Sequence, residues 1–167
     1  MKKTKRTEKI RYGKGMSLFV KKTSVFPAGR REVFCQIRKL ATLQEIAWPY
    51  ATFTSTDGSE DMNWEPGRTA SFRFRLFGIM PFGTHTIHVV RFSETEGIYT
   101  HEWNEHVPIW NHEIILRELT DKTCEYTDRV EIDAGWKTVF VYLWARCFYA
   151  HRQKKWIRIL NRVSRRR

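Results

Sequence analysis

Two patterns of hydrophobic and polar positions divide the chain. From residue 68 to residue 132, apolar and polar side chains alternate with a period of two, which is typical of half-buried strands. In the segment SFRFRL, for example, two phenylalanines and Leu76 share one face while two arginines occupy the other. After Gly135 the alternation ends, and an aromatic-rich stretch over residues 138–160 predicts one long helix.

Prolines and turn residues divide the rest of the chain into shorter elements. The alternation predicts strands over residues 16–26, 50–54, 68–76, 84–92, 98–103, 109–119 and 122–132. Helical spacing predicts two short helices between the first two strands, over residues 28–43 and 43–48. Residues 55–67 are predicted to be a loop, and the segment IMPFG at residues 79–83 a turn.

The order of these elements predicts an α+β fold. Consecutive strands joined by short turns pair antiparallel and need no crossover connection. We therefore expect a curved antiparallel sheet of about seven strands wrapped on the long C-terminal helix, with the two short helices closing the open side. The first half of that helix, residues 139–149, is apolar nearly all round and is predicted to cover a space above the sheet. From Arg152 the helix becomes basic, and this second half is predicted to extend past the sheet as an amphipathic tail.

Several segments carry local packing patterns without a catalytic signature: SVFPAGRREVFCQI, SFRFRLFG, WNHEI, YTDRVEI and FYAHRQKKW. Together they resemble the START-related superfamily, which includes the polyketide cyclases and is also called SRPBCC. The resemblance covers roughly residues 15–160. Many members carry a second His or an aromatic residue where this chain has Ile114.

This resemblance implies the helix-grip fold and an internal cavity between the sheet and the long helix. It also implies that the cavity binds an apolar or amphipathic small molecule or a lipid. Members of the superfamily act as carriers, as sensors or as enzymes of the cyclase, aromatase or dehydratase type, and the fold does not choose among these functions.

Charge divides the chain into three parts. The formal net charge is +12, with +8 on residues 1–22, +8 on residues 152–167 and −4 on the remaining middle. We expect a flexible basic segment at 1–14, one domain at 15–160 and a basic tail at 161–167. The basic ends suit an anionic membrane surface, nucleic acid or an acidic partner, or are simply solvated. The mildly acidic middle argues against a nucleic-acid-binding groove.

His112 and Asp128 form the sharpest candidate for chemistry. His112 shares a face with Trp110, and Asp128 shares a face with Tyr126, on the two strands of the last predicted hairpin. If both faces point inward, the two side chains lie opposite or diagonal to each other. Such a pair orients an imidazole as a general base, or it is a structural pair that satisfies itself beneath the helix.

Other side chains are predicted to line the cavity. Aromatic rings bury flat or chain-like ligands, while ring nitrogens and hydroxyls orient them. His85 and His101 are expected to meet as polar lining, and Tyr99 is an alternative proton-transfer group. An ordinary filled core is the competing interpretation for each ring. The full predicted set is Phe72, Phe74, His85, Tyr99, His101, Trp103, Trp110, Tyr126, Phe140, Trp144 and Phe148.

The remaining signals mostly exclude function classes. Phosphate-binding glycine motifs and nucleophile elbows do not occur, and we expect neither a metal nor a cofactor. The longest apolar run has seven residues, whereas a membrane span needs about 20. Three widely spaced cysteines are expected to be buried free thiols, which together with the missing secretory signal indicates a cytoplasmic protein.

Overall fold

The computed structural model of the chain describes residues 16–56 and 64–164. Within these ranges the chain forms seven strands, two short helices, one 3₁₀ turn and one long helix. The predicted basic segment at residues 1–14, part of the loop at 55–67 and the last tail residues lie outside the described residues. The elements are β1 (Leu18–Phe26), α1 (Arg30–Ile37), α2 (Leu40–Ala47), β2 (Ala51–Ser55), β3 (Thr69–Leu76), β4 (Met80–Ser93), β5 (Gly97–Trp103), β6 (Ile109–Thr120), β7 (Thr123–Asp133), the 3₁₀ turn (Gly135–Lys137) and α3 (Thr138–Ser164).

The sheet is antiparallel throughout, and its strands follow the order β1-β7-β6-β5-β4-β3-β2. Strands β2 to β7 therefore form a meander, and β1 joins it from the far end by pairing with β7. Register shifts interrupt the β3/β4, β4/β5 and β6/β7 pairings, and such bulges bend the strands. The bent sheet carries α3 on its inner face, so the predicted helix-grip fold is confirmed.

The short helices differ from the prediction in their boundary. The expected helix over residues 28–43 stops at Ile37, and α2 begins at Leu40 after Lys39 adopts an extended conformation. This break turns the axis of the chain so that both helices bury apolar residues, Val33 from α1 and Leu40 and Ile46 from α2. No Gly or Pro marks the break, which is why the sequence does not show it.

The turn predicted at residues 79–83 is also displaced. The chain turns at residues 77–79, and Met80 already pairs with Leu76 in the β3/β4 ladder. Gly78 has a positive φ of 73°, a conformation that glycine adopts without steric cost. The amide of Phe77 donates to the carbonyl of Tyr50, which fixes the turn against the start of β2.

The second half of α3 belongs to the core, which corrects the prediction of a tail extending past the sheet. Trp156 and Leu160 are each only 1% exposed, and they pack in one cluster with Phe26 and Tyr126. Arg158, which stands between them in the sequence, lies on the opposite side of the helix and is exposed. A helix with this spacing of 156, 159 and 160 buries one stripe whatever the charge of its other faces.

Candidate functional site

A cavity of about 540 Å³ lies between the inner face of the sheet and α3. Its volume falls within the range of small-molecule sites. Apolar and aromatic side chains from the sheet, the short helices and α3 form most of its wall. These include Leu43, Ile46, Phe53, Trp64, Phe74, Phe82, Ile87, Phe92, Ile98, Trp110, Ile114, Phe140, Val141, Trp144, Phe148 and Trp156.

A polar cluster interrupts this apolar wall on three neighbouring strands. His85 of β4, Glu102 of β5 and His112 of β6 all point inward and are buried, because each occupies an inward position in the alternation of its strand. His85 Nε2 lies 2.8 Å from Glu102 Oε2, and His112 Nδ1 lies 3.8 Å from Glu102 Oε1. The hydroxyl of Thr100 donates to Glu102 Oε1 at 2.6 Å. Glu102 thus lies between two imidazoles.

A second group of contacts continues from His112 to Asp128, which is fully buried. His112 Nε2 donates to Asp128 Oδ1 at 2.9 Å, and the hydroxyl of Tyr126 donates to the same oxygen at 3.0 Å. From α3, Gln153 Nε2 donates to Asp128 Oδ2 at 2.9 Å, and Arg152 Nε lies 4.0 Å from Oδ1. The network therefore joins the inner face of the sheet to the helix above it.

Burial disfavours the charged forms of these side chains, but their charged and hydrogen-bonded partners stabilise the charged forms more strongly. His112 and His85 hold the pKa of the Glu102 carboxyl well below its usual range despite burial. In the same way, Arg152 and His112 lower the pKa of Asp128. The carboxylates of Asp128 and Glu102 in turn raise the pKa of the buried His112. Two ionised carboxylates thus favour a protonated imidazole at the cavity wall.

The structure places the two candidate catalytic residues in contact. His112 faces Val130 across the β6/β7 ladder and Asp128 faces Ile114, so the two residues are diagonal neighbours. His112 lines the cavity, while Asp128 lies behind it. This arrangement can orient and charge an imidazole beside a ligand, and its role in catalysis stays a prediction.

The predicted lining residues divide into three groups. The side chains that do line the cavity are Phe74, His85, Trp110, Phe140, Trp144 and Phe148. Phe72 and Tyr126 are fully buried in the core beside it. Phe72 packs edge-on against Phe53, and Tyr126 stacks on Phe26 at 4.5 Å between ring centroids. For these two residues the competing interpretation as filled core fits the contacts.

The prediction for Tyr99, His101 and Trp103 is wrong, because these residues lie on the outer face of the sheet. His101 and Trp103 are exposed, and the ring of His101 contacts the side-chain oxygen of Asn111. The expected meeting of His101 with His85 therefore does not occur. Tyr99 does not line the cavity, because Ile98, Thr100 and Glu102 form the inward face of β5 and Tyr99 lies on the other face. The predicted facing of β5 is therefore off by one residue.

Sequence reasoning missed Glu102, Thr100 and Arg152. The two β5 residues alternate with Ile98, so they share its inward face. That face has a carboxylate at its end, and the aromatic residues on the other face suggested the opposite assignment. Arg152 follows Trp144 and Phe148 at four-residue spacing, which is the available signal that it faces the cavity.

Exposed apolar residues surround one end of the cavity. On the 3₁₀ turn and the start of α3, Trp136 is 83% exposed and Phe140 67% exposed, although both also line the cavity. Val139 and Leu143 are about half exposed on the same helical face. We call these four residues the mouth stripe. The turn between β3 and β4 adds Ile79, which is 81% exposed.

Two further expectations concern thiols and metals. All three cysteines are free, but Cys35 and Cys147 are exposed, so only the prediction of a buried thiol at Cys124 is correct. Burial raises the pKa of the Cys124 thiol to about 11. Among the described residues, His, Cys, Asp and Glu side chains do not form a group that could hold a metal ion.

Solved structures with the same architecture define the class of fold. A START superfamily protein from Mycobacterium smegmatis has a TM-score of 0.64 and 12% identity, over 87% of this chain and 98% of that chain. The Zhui aromatase/cyclase from Streptomyces sp. R1128 has a TM-score of 0.62 and 12% identity, over 90% and 96%. Norcoclaurine synthase from Thalictrum flavum, solved with a transition-state analogue, has a TM-score of 0.62 and 8% identity, over 90% and 98%. The fold is therefore START-like, as the sequence resemblance implies.

The chain belongs to the family described as Domain of unknown function (DUF8410), which residues 24–160 match. No curated protein has a sequence that matches this chain significantly. Within the ranges that the structure describes, none of the helices combines the length and the apolar character needed to span a membrane.

Proposed function

We propose that this chain binds an apolar or amphipathic small molecule in the cavity between sheet and helix, as a carrier or sensor. The observation that carries this proposal is the cavity of about 540 Å³ with a largely apolar wall that is rich in aromatic rings. A well-packed core has few voids larger than a water molecule, so a space of this size is costly unless a ligand occupies it.

The polar cluster supports a ligand with one oriented polar group. Glu102, His112 and Arg152 line a largely apolar cavity, and each is held by a neighbour on another element. Fixed polar groups of this kind orient a ligand, while the apolar wall supplies the driving force for burial. The acyl chain or ring system of the ligand would lie against α3.

Native mass spectrometry of the purified protein tests this proposal. We expect a non-covalent adduct of a small apolar molecule. Replacing Ile114, which is buried and lines the cavity, by Trp should remove the adduct by filling the space. Ile115→Trp is the matched control, because Ile115 is the next residue on β6 and is 43% exposed.

Loss of the adduct in both variants would contradict the proposal, as would its retention in both. Because Ile114→Trp risks overpacking, Ile87→Trp provides a second blocked cavity from β4. Near-ultraviolet circular dichroism would establish that each variant keeps its tertiary structure.

The second candidate function is an enzyme of the cyclase, aromatase or dehydratase type. The hydrogen bond of 2.9 Å between His112 and the buried Asp128 favours it, since this pairing orients a proton-transfer group at the cavity wall. Two proteins of like fold are described as an aromatase/cyclase and a synthase. Replacing His112 by Ala should abolish turnover of an enzyme while leaving ligand affinity largely intact. A carrier should lose stability only.

Association of the basic termini with an anionic membrane surface or an acidic partner stays a prediction. Residues 1–15 lie outside the described residues, and near the end of α3 Arg162 contacts Glu45. Sedimentation with anionic vesicles tests it: deletion of residues 1–14 and 161–167 should abolish binding, and binding of the intact chain should fall steeply with salt.

A further inference from the structure

One face of α3 carries a row of nitrogen donors toward the cavity. Trp144, Phe148, Arg152 and Trp156 follow each other at intervals of four residues, and all four line the cavity. At a rise of about 1.5 Å per residue, this row spans about 18 Å along the helix axis. We call Trp144, Arg152 and Trp156 the donor row.

The two tryptophans of the donor row lack acceptors. Trp144 Nε1 and Trp156 Nε1 are each buried without a hydrogen-bond partner among the described residues, whereas Arg152 Nε, which also lacks a hydrogen bond there, has its ion pair with Asp128 at 4.0 Å. Trp64 Nε1, on the other side of the cavity, is likewise buried without a partner in the described structure. Indole and guanidinium nitrogens can only donate, so another donor cannot satisfy them. A buried donor without an acceptor is costly.

The acceptors of the site, in contrast, are already in use. Glu102 accepts from Thr100 and His85, and Asp128 accepts from His112, Tyr126 and Gln153. His85 Nδ1 is the exception, since this ring nitrogen is buried without a partner in the described structure and can accept in the neutral ring. The polar groups of the cavity wall that lack hydrogen bonds are therefore mainly donors.

We propose that the cavity selects apolar ligands that carry oxygen acceptors, such as carbonyl, ether or ester groups, over hydrocarbons and ammonium compounds of the same shape. The two indole N–H groups of the donor row, on Trp144 and Trp156, supply this selectivity by donating hydrogen bonds to the ligand along the helix. This inference rests on the proposed small-molecule binding and specifies its ligand class. A ligand ammonium group would instead meet unmatched donors and the cation of Arg152.

Equilibrium dialysis with three probes of one shape tests this selectivity. The probes are fluorene, fluorenone, which adds one carbonyl oxygen, and aminofluorene with its amine on the same ring carbon, which is an ammonium ion at neutral pH. We expect fluorenone to bind about fivefold more tightly than fluorene, the ratio that one net hydrogen bond provides. Aminofluorene should bind most weakly.

Variants that remove single donors identify which side chains cause the preference for fluorenone. Trp144→Phe and Trp156→Phe keep an aromatic ring and delete the N–H, so at least one of them should reduce the fluorenone preference to about twofold or less. Trp103→Phe is the matched control, because Trp103 lies on the outer face of the sheet and its replacement should leave the preference unchanged.

Equal affinity of fluorene and fluorenone would overturn this inference and leave the proposed function standing. A preference that survives both α3 variants would also overturn it, since its source would lie elsewhere. If none of the three probes binds and no adduct co-purifies, the proposed function fails and the inference fails with it.

Discussion

The two halves of α3 differ in composition, but burial does not follow that difference. The second half is rich in Arg and Lys, yet Trp156 and Leu160 lie in the filled core against Phe26 and Tyr126. The first half is largely apolar, yet Phe140 is 67% exposed beside the cavity. One continuous helix therefore acts as a packing element at one end and as the wall and mouth of a cavity at the other.

This difference shows what sets burial in the molecule. In the second half of the helix, Trp156 packs against the rings of Phe26 and Tyr126, at 6.0 and 6.3 Å between ring centroids. In the first half, Trp144 and Phe148 stack on each other at 5.0 Å and border the cavity. Local geometry, and not the average hydrophobicity of the segment, decides which residues are covered.

The largest expected effect is a loss of stability when the packing around Trp156 in α3 is removed. Trp156→Ala should lower the free energy of unfolding by about 3–5 kcal/mol, because Trp156 is only 1% exposed and packs against Phe26 and Tyr126. Trp144 is only partly buried, so Trp144→Ala should cost clearly less. Urea denaturation monitored by far-ultraviolet circular dichroism compares them. Equal losses would contradict the distinction between the two ends.

The next effect concerns the charged network that links the two halves. Asp128→Asn leaves His112 and Arg152 buried without their carboxylate, so we expect a loss of about 3 kcal/mol in unfolding free energy. Glu125→Gln on the same strand is the control, since the Glu125 pair with Arg117 is partly exposed. Its effect should stay within about 0.5 kcal/mol. Similar losses in both variants would show that burial of the Asp128 network adds nothing.

A smaller effect should appear as a pH dependence. Because the folded protein raises the pKa of His112 above its usual value of about 6.5, the resulting stability is present below that pH and is lost as pH rises through the raised pKa. The lowered pKa values of Asp128 and Glu102 give the opposite sign on the acid side, where stability falls as pH drops below about 4.

Thermal unfolding between pH 5 and pH 9 measures how much stability is lost on the alkaline side. We expect a loss of about 1.4 kcal/mol in unfolding free energy for each pH unit by which the pKa of His112 is raised. His112→Gln should flatten the decline above pH 6.5, the usual pKa of histidine. His101→Gln, on the outer face, should retain it. If the decline persists in His112→Gln, another titrating group causes it and the prediction is wrong.

Much of the fold could be predicted from the sequence, because alternation and turn residues are local signals. That His112 and Asp128 lie close together could be predicted, because they lie on the two strands of one tight hairpin, where register errors cannot accumulate. The same reasoning assigned the wrong face of strand β5 to the cavity. Both of its faces carry polar residues, and the aromatic Tyr99 and Trp103 outweighed Glu102 in the interpretation although Glu102 points inward.

The rest depends on tertiary contacts that no local pattern encodes. Glu102 is inward because His85 and His112 on neighbouring strands stabilise its charge. Arg152 lies in the cavity wall because Asp128 and Tyr126 face it from β7. A buried charge is predictable only when its partners are known to be adjacent, and here these partners lie between 10 and 26 residues away in sequence.

The position of β1 has a consequence for how the fold is assembled. Its pairing partner is β7, so Leu18 meets Ile132 and the last contact of the strand joins Phe26 to Cys124. Strands β2 to β7 each pair with a neighbour in sequence, whereas β1 pairs with the last strand of the sheet. Long-range pairing of this kind slows folding. We therefore expect β1 to be among the last strands to be ordered. Gln153 of α3 then fixes it by donating to the backbone of Lys22 and accepting from the side chain of Ser24.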